Sequence, residues 1–339
     1  MGSVKDLQLI EKPSKIKTGL GNFIFSDRYS VFDWGEMPDH IQHKGSALCL
    51  IGAFFFEKLE SMGIPTHFAG LVEEGQAKML SDLKAPVNSM QVKLVRVLKP
   101  ELSHGVYNYS VFKQEHVNLL IPLEIIYRNT LPAGSSVFRR LKEGSLKLEE
   151  IGLHSTPEAD SVLETPVLDA STKLEETDRY MNWREAQDIA GLSETELGKI
   201  RNTTMMINDL ITREVAKIGL TNEDGKVEYG FDPQRNLMLV DVLGTPDECR
   251  FNYQGIVVSK EAARIYYRKT DWYREIEQAK QKDRTNWKSL VENPPPHLPK
   301  RFLELIESVY QAFCNEITGR DWFKVPTLNT ILNEMQEWL

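Results

Sequence analysis

The chain has 339 residues, of which 41% are hydrophobic and 27% charged, with a formal net charge of −8. That length allows two or three domains and a core large enough to fold without a disulfide or metal staple, and the composition excludes wholesale disorder. The acidic balance argues against a general affinity for nucleic acid, which needs a basic surface, but leaves room for a local basic pocket. The three cysteines, Cys49, Cys249 and Cys314, are far apart and lack CxxC spacing or nearby His partners. A structural zinc site is therefore not expected, and a reducing, cytoplasmic compartment is. The opening MGSVKDLQLIEKPSK has no apolar signal-peptide core. The most apolar stretch, 47–56, is about half the ~20 residues a spanning helix needs, so no membrane partner is expected.

No internal repeat or low-complexity segment stands out. The first part, including IKTGLGNFIFSDR, reads as short strands, with Gly19-Leu20-Gly21 as a hairpin turn rather than a phosphate loop. A helix follows, with Ser46 as its N-cap, apolar residues at Leu48, Ile51, Phe55, Leu59 and Met62, and Gly63 and Pro65 as its stop. β-type runs occupy 66–128, notably NLLIPLEIIYR, while 100–117 resembles an added hairpin or loop. A turn through Pro132 and Gly134 leads into a helix carrying Arg139 and Arg140, and the polar stretch 141–170 reads as irregular surface. The longest helix is predicted over 193–218, opened by a Ser193/Glu196 capping box. A hairpin follows: KVEYGF (226–231), turn DPQRN, then LMLVDVL (237–243). The last helix is predicted over 299–318, between Pro299 and Gly319. Strands and helices are grouped rather than alternating, which predicts an α+β fold. The division falls near residue 125, into lobes 1–125 and 126–339.

The hairpin is the most informative segment for chemistry. Alternate strand residues share a face, so Val227, Tyr229 and Phe231 point one way and Asp224, Lys226, Glu228 and Gly230 the other. Across the turn, Asp241 falls opposite or next to Glu228, in a run where a charge is costly unless paired or metal-bound. Two carboxylates and a lysine on one sheet wall suit Mg²⁺ holding a nucleotide. An ordinary cross-strand ion pair is the competing reading. Arg250, just beyond the Pro246-Asp247 turn, could grip a phosphate or carboxylate, or be a surface arginine. Arg128 ends a strand, and the Gly134-Ser135-Ser136 turn offers either backbone N–H groups to an anion or a simple N-cap. None of the seven histidines forms HxxxH or HExxH, and the GxSxG and Walker patterns are absent.

Taken in order, the segments GSVKDL (2–7), SDRYSVFD (26–33), HKG (43–45), GIPTHF (63–68), IPLEIIYRNTLPAGSS (121–136), STKLEETD (171–178), EDGKVEYG (223–230), DVLGTPDECRF (241–251) and PPPHLP (294–299) resemble the SAICAR synthetase family of purine biosynthesis. The resemblance implies an ATP-grasp-like fold with a smaller N-terminal lobe similar to a kinase N-lobe. It implies ATP-dependent joining of L-aspartate to carboxyaminoimidazole ribotide (CAIR) through an acyl phosphate, with Mg²⁺. By the same resemblance, Lys5 meets the ATP phosphates, together with Lys226, Glu228 and Asp241. Asp224 and Lys226 form the DxK pair at the reacting groups, and Glu228 and Asp241 bind metal. Arg128, Ser135 and Arg250 hold the ribotide, Asp33 and Lys44 occupy motif positions on that side, and Lys173 and Asp178 belong to the aspartate loop. The chain departs from the family pattern at Ser3, Thr177 and Val242, by an extra residue between Arg128 and Gly134, and by longer segments at 100–117 and 142–160. The resemblance leaves the assembly open, a homodimer included. The alternatives are a small-molecule phosphotransferase on a related scaffold and a non-catalytic nucleotide-binding protein.

Overall fold

The fold is seen in a computed structural model that describes residues 5–258, 260–283 and 286–339. Ser3 lies outside the described residues. The first sheet takes its strands from the N-terminal part: β1 (Lys5–Glu11), β2 (Gly19–Phe25), β3 (Phe68–Glu73), β4 (Gln76–Lys78) and β5 (Ser89–Leu94), in the antiparallel order β1-β2-β5-β3-β4. Gly19–Gly21 is not the turn that the sequence suggests but the opening of β2. A Cβ at Gly19 would lie 2.4 Å from the Glu11 carbonyl oxygen, so glycine lets the backbones close tightly.

Helix α1 (Lys44–Ser61) is apolar nearly all round because it is buried on both sides, against the first sheet and against a C-terminal helix. It begins two residues before the expected Ser46 cap. The distant Asp27 carboxylate accepts from the N–H groups of His43 (3.2 Å) and Gly45 (2.9 Å), a cap supplied by tertiary structure. Gly63, at φ 78°, ends the helix as expected. Between the sheets lie the short hairpin β6 (Glu101–Ser103) and β7 (Val106–Asn108), as expected, and α2 (Ser110–Gln114).

The second sheet is built on β8 (Leu119–Thr130), followed by α3 (Ser136–Glu143), β9 (Val162–Thr172), β10 (Tyr180–Met181), α4 (Trp183–Ile189), α5 (Glu194–Ala216), β11 (Thr221–Phe231), β12 (Leu237–Val240), β13 (Cys249–Tyr253) and β14 (Ile256–Val258). Its order is β10-β9-β8-β11-β13-β14, with β12 also paired to β11. Residue 125 lies within β8, so the passage from one sheet to the other falls earlier, in 95–118. The polar stretch 141–170 is only partly irregular. Its last third is β9, an interior strand of the sheet, and beneath α3 Leu131, Val137, Ile151 and Val167 form a small core of their own. The Ser193/Glu196 capping box opens α5 as the sequence predicts, and α5 covers the back of β8 and β11.

The chain ends in α6 (Glu261–Arg268), α7 (Asp271–Lys282), α8 (Lys300–Thr318) and α9 (Leu328–Met335). Of these, only α8 was legible as an amphipathic helix. Its buried Phe302, Ile306, Val309 and Phe313 face inward, and it packs on α1. A continuous core therefore runs from the first sheet through α1 and α8 to the second. Among the described residues, no helix is long and apolar enough to cross a membrane.

Candidate functional site

Strand register assembles the site on the face of the second sheet opposite α5. Directly paired residues point to the same side, and each next row lies two residues along. The first row is Arg128–Asp224–Arg250, from β8, β11 and β13. Lys226 follows on β11, and the row beyond it pairs Glu124 with Glu228. Arg128, Asp224, Lys226 and Arg250 line one cavity of about 380 Å³, together with Glu124 and Asp178. Asp224 sits 3.8 Å from Arg128 and 3.5 Å from Arg250. Burial pushes its carboxyl up, against the pull of Arg250 and Arg128.

Two carboxylates directly opposite each other repel unless cations bridge them. Here Lys226 lies 2.6 Å from Glu124 and 3.2 Å from Glu228, while Lys173 lies 3.2 Å and 2.6 Å from the same two. Burial opposes both lysines' charge, but the carboxylates prevail. Glu248, Glu228 and Glu124 hold Lys226 well above the ordinary range, and Glu228 and Glu124 raise Lys173 to about 12. Burial, and then the neighbouring charge of Asp241, push Glu228 up to about 7.

Asp241 stands one residue past Val240, which pairs with Glu228, as the sequence anticipated. Lys5 of the first sheet is ion-paired to it, so the site lies where the two sheets meet. Burial works to raise Asp241, yet Lys5, Lys173 and Lys226 together hold it well below the usual carboxylate range.

The remaining candidates are dispersed. Asp178 lines the cavity, and burial and Glu124 push its carboxyl up. Asp33 is exposed, 3.8 Å from Lys280, and close enough for its charge to act on Asp178. Lys44 is fully buried behind the cavity wall, 2.8 Å from Asp247, an ion pair rather than an aligned hydrogen bond. Ser135 caps α3 by accepting from the Val137 N–H, which is the simple N-cap reading. Neighbouring Gly134 lines a second cavity of about 730 Å³, which shares Arg250 and Arg264 with the first. Thr177 is exposed and Val242 buried.

Sequence reading missed Glu124, although its signal was present: it shares β8 parity with Arg128, and a charge in a strand that buried demands a partner. It also missed Asp169, which pairs with Arg140 and lies 3.4 Å from Arg128. Asp169 stands in the stretch read as irregular.

Two sheets closing over a cleft lined with lysines and carboxylates form the ATP-grasp-like architecture of nucleotide-using ligases. A solved SAICAR synthetase in complex with ADP is similar in fold, with a TM-score of 0.60 at 20% identity, covering 94% of this chain and 97% of that one. The SAICAR synthetase family model matches residues 2–282. A protein of Archaeoglobus fulgidus is 51% identical over 339 residues, covering 100% of both chains, and carries the name phosphoribosylaminoimidazole-succinocarboxamide synthase in provisional form. The enzyme of that name from Thermoplasma volcanium is 33% identical over 307 residues, covering 88% of this chain and 93% of its own. The chain belongs to the SAICAR synthetase family, ATP-dependent ligases that join L-aspartate to CAIR in purine biosynthesis.

Proposed function

We propose that the cleft between the two sheets carries out this ligation, with Arg128, Asp224, Lys226 and Arg250 at the CAIR end and Lys5 and Asp241 at the nucleotide end. The observation that carries this reading is the in-register row Arg128–Asp224–Arg250 beside Lys226. A carboxylate is a poor acyl donor because its leaving group would be oxide. Transfer of the terminal phosphoryl of ATP to the CAIR carboxylate makes an acyl phosphate and releases ADP. The amine of aspartate then attacks the carbonyl carbon and loses a proton, and the C–O bond breaks to release phosphate.

Arg128 and Arg250 bind the anionic ribotide, and Asp224 between them orients both guanidiniums. Lys226 neutralises charge at the carboxylate being phosphorylated, and Lys5 does so at the nucleotide phosphates. Lys173 and Asp178 face the incoming aspartate, offering a cation to its carboxylates and an anion to its amine. Lys44 supports Asp247 from beneath, Asp33 adds its charge near Asp178, and Ser135 holds the α3 turn by the second cavity.

The donor set of Glu228 and Asp241 fits Mg²⁺. Both are hard oxygen ligands, and Mg²⁺ takes one or two carboxylates with phosphates and water completing its shell. A cation held by these carboxylates would also ease the Asp241 repulsion that adds to burial in raising Glu228. When bound there, it would neutralise charge on the phosphates during transfer. The buried, unpaired cysteines suit a cytoplasmic enzyme.

The test is an omission series with Mg-ATP, CAIR and L-aspartate. ADP should form only with CAIR present, and the succinocarboxamide only when aspartate is added. Equal ADP release with ribose phosphates or inositol phosphates would overturn the reading.

A further inference from the structure

We infer that His67 is a positioning residue for Asp241, setting its carboxylate toward the nucleotide end of the cleft. Asp241 has φ 66°, in the left-handed region that is uncommon outside glycine, although aspartate tolerates it better than most side chains. His67 holds the main chain there. Its Nε2 lies 2.9 Å from the Asp241 backbone oxygen, and because a carbonyl can only accept, Nε2 carries the hydrogen. The ring is buried between Phe23 of β2 and Phe56 of α1, at centroid distances of 5.5 and 5.3 Å. It cannot swing away without opening that core.

The backbone around His67 joins the two sheets. Its N–H donates to the Leu239 carbonyl of β12 at 2.9 Å, and its own carbonyl accepts from Lys93 of β5 at 2.7 Å. The Leu239 N–H in turn donates to the Pro65 carbonyl at 2.9 Å. Residues 65–67 thus strap β12 to the first sheet, which also carries Lys5, the partner of the Asp241 carboxylate. The hydrogen bond of His67 goes to the Asp241 main chain rather than to its carboxylate. It acts through the main chain, at the point where β12 ends and the chain turns.

This inference rests on Asp241 serving the metal–nucleotide site, and the experiment separates the two. The variants are His67→Phe, which fills the aromatic slot but cannot donate, and His67→Gln, whose amide can. Asp241→Asn is the control. Two quantities are read for each: the extra rise in melting temperature that Mg·ADP gives over ADP alone, and KM for Mg-ATP, CAIR and aspartate. His67→Phe should weaken the apparent metal affinity, measured by titrating that extra rise, by roughly 10- to 100-fold. It should raise KM for Mg-ATP while leaving those for CAIR and aspartate near wild type, and His67→Gln should recover most of the loss. If Asp241→Asn abolishes the metal increment but His67→Phe, folded, retains it, the positioning role is wrong. If His67→Gln behaves no better than His67→Phe, hydrogen bonding is not the cause and the inference also fails. If Asp241→Asn itself keeps the increment, the metal reading fails, and with it the basis for this role.

Discussion

Lys44→Met tests whether Lys44 holds the site up from behind or touches the ribotide. The Lys44 side chain is 0% exposed and its ammonium lies 2.8 Å from Asp247, whose other oxygen accepts from the Tyr310 hydroxyl at 2.6 Å. At that separation and an effective dielectric near 20, the gross attraction is about 6 kcal/mol. Desolvation of several kcal/mol per ion offsets most of it, so the pair adds little over an apolar pair of the same shape. Breaking it is different. Methionine fills the space but leaves the buried Asp247 carboxylate with the Tyr310 hydroxyl and the charge of Lys260, at a cost of up to about 3–5 kcal/mol. Asp247→Asn added to Lys44→Met should restore much of that, because no buried charge then lacks its counterion. Urea denaturation of the wild type, both single variants and the double variant measures the coupling, and steady-state titration of each folded variant gives KM for CAIR. A Lys44→Met variant with unchanged stability and a sharply raised CAIR KM would refute this account and make Lys44 a ligand contact.

Arg250→Ala removes one charge-assisted contact worth about 1.5–3 kcal/mol, so KM for CAIR should rise roughly 10- to 150-fold with KM for ATP little changed, and equal increases for both would remove Arg250 from the ribotide. Asp241→Asn keeps shape and loses one charge; activity should fall by orders of magnitude while the fold survives, and the metal concentration for half-maximal rate should rise, whereas wild-type metal dependence would return Asp241 to a plain ion pair with Lys5. Glu228 has its pKa raised to about 7 in the fold, first by burial, so its stabilising contribution is complete below the unfolded value of about 4.3 and is lost as pH rises through about 7. Glu228→Gln cannot ionise and should flatten the fall in melting temperature between about pH 4 and 7, and parallel melting curves for the two proteins would contradict the burial argument.

Local pattern sufficed for much of this protein. The capping box and apolar stripe of α5, the stripe of α8 and the hairpin of β11 and β12 depend on periods of 3.6 and 2 that a sequence displays directly. Parity along β11 already set Asp224, Lys226 and Glu228 on one face, and the short turn brought Asp241 beside them, because a hairpin fixes its own register. Other features depend on partners far along the chain. Strand β9 looked irregular because its largely exposed first half and Pro166 hide a second half that is buried only between β8 and β10. The cap of α1 came from Asp27 rather than Ser46, and Lys44 found its counterion in Asp247, more than half the chain away. The opposition of Glu124 to Glu228, the hold of His67 on Asp241 and the separation of Ser135 from the Lys226 cavity follow from strand order and from the docking of one sheet on the other. Spacing in sequence orders residues along an element, but the distance between elements is decided by which faces bury each other, and only the folded chain makes that choice.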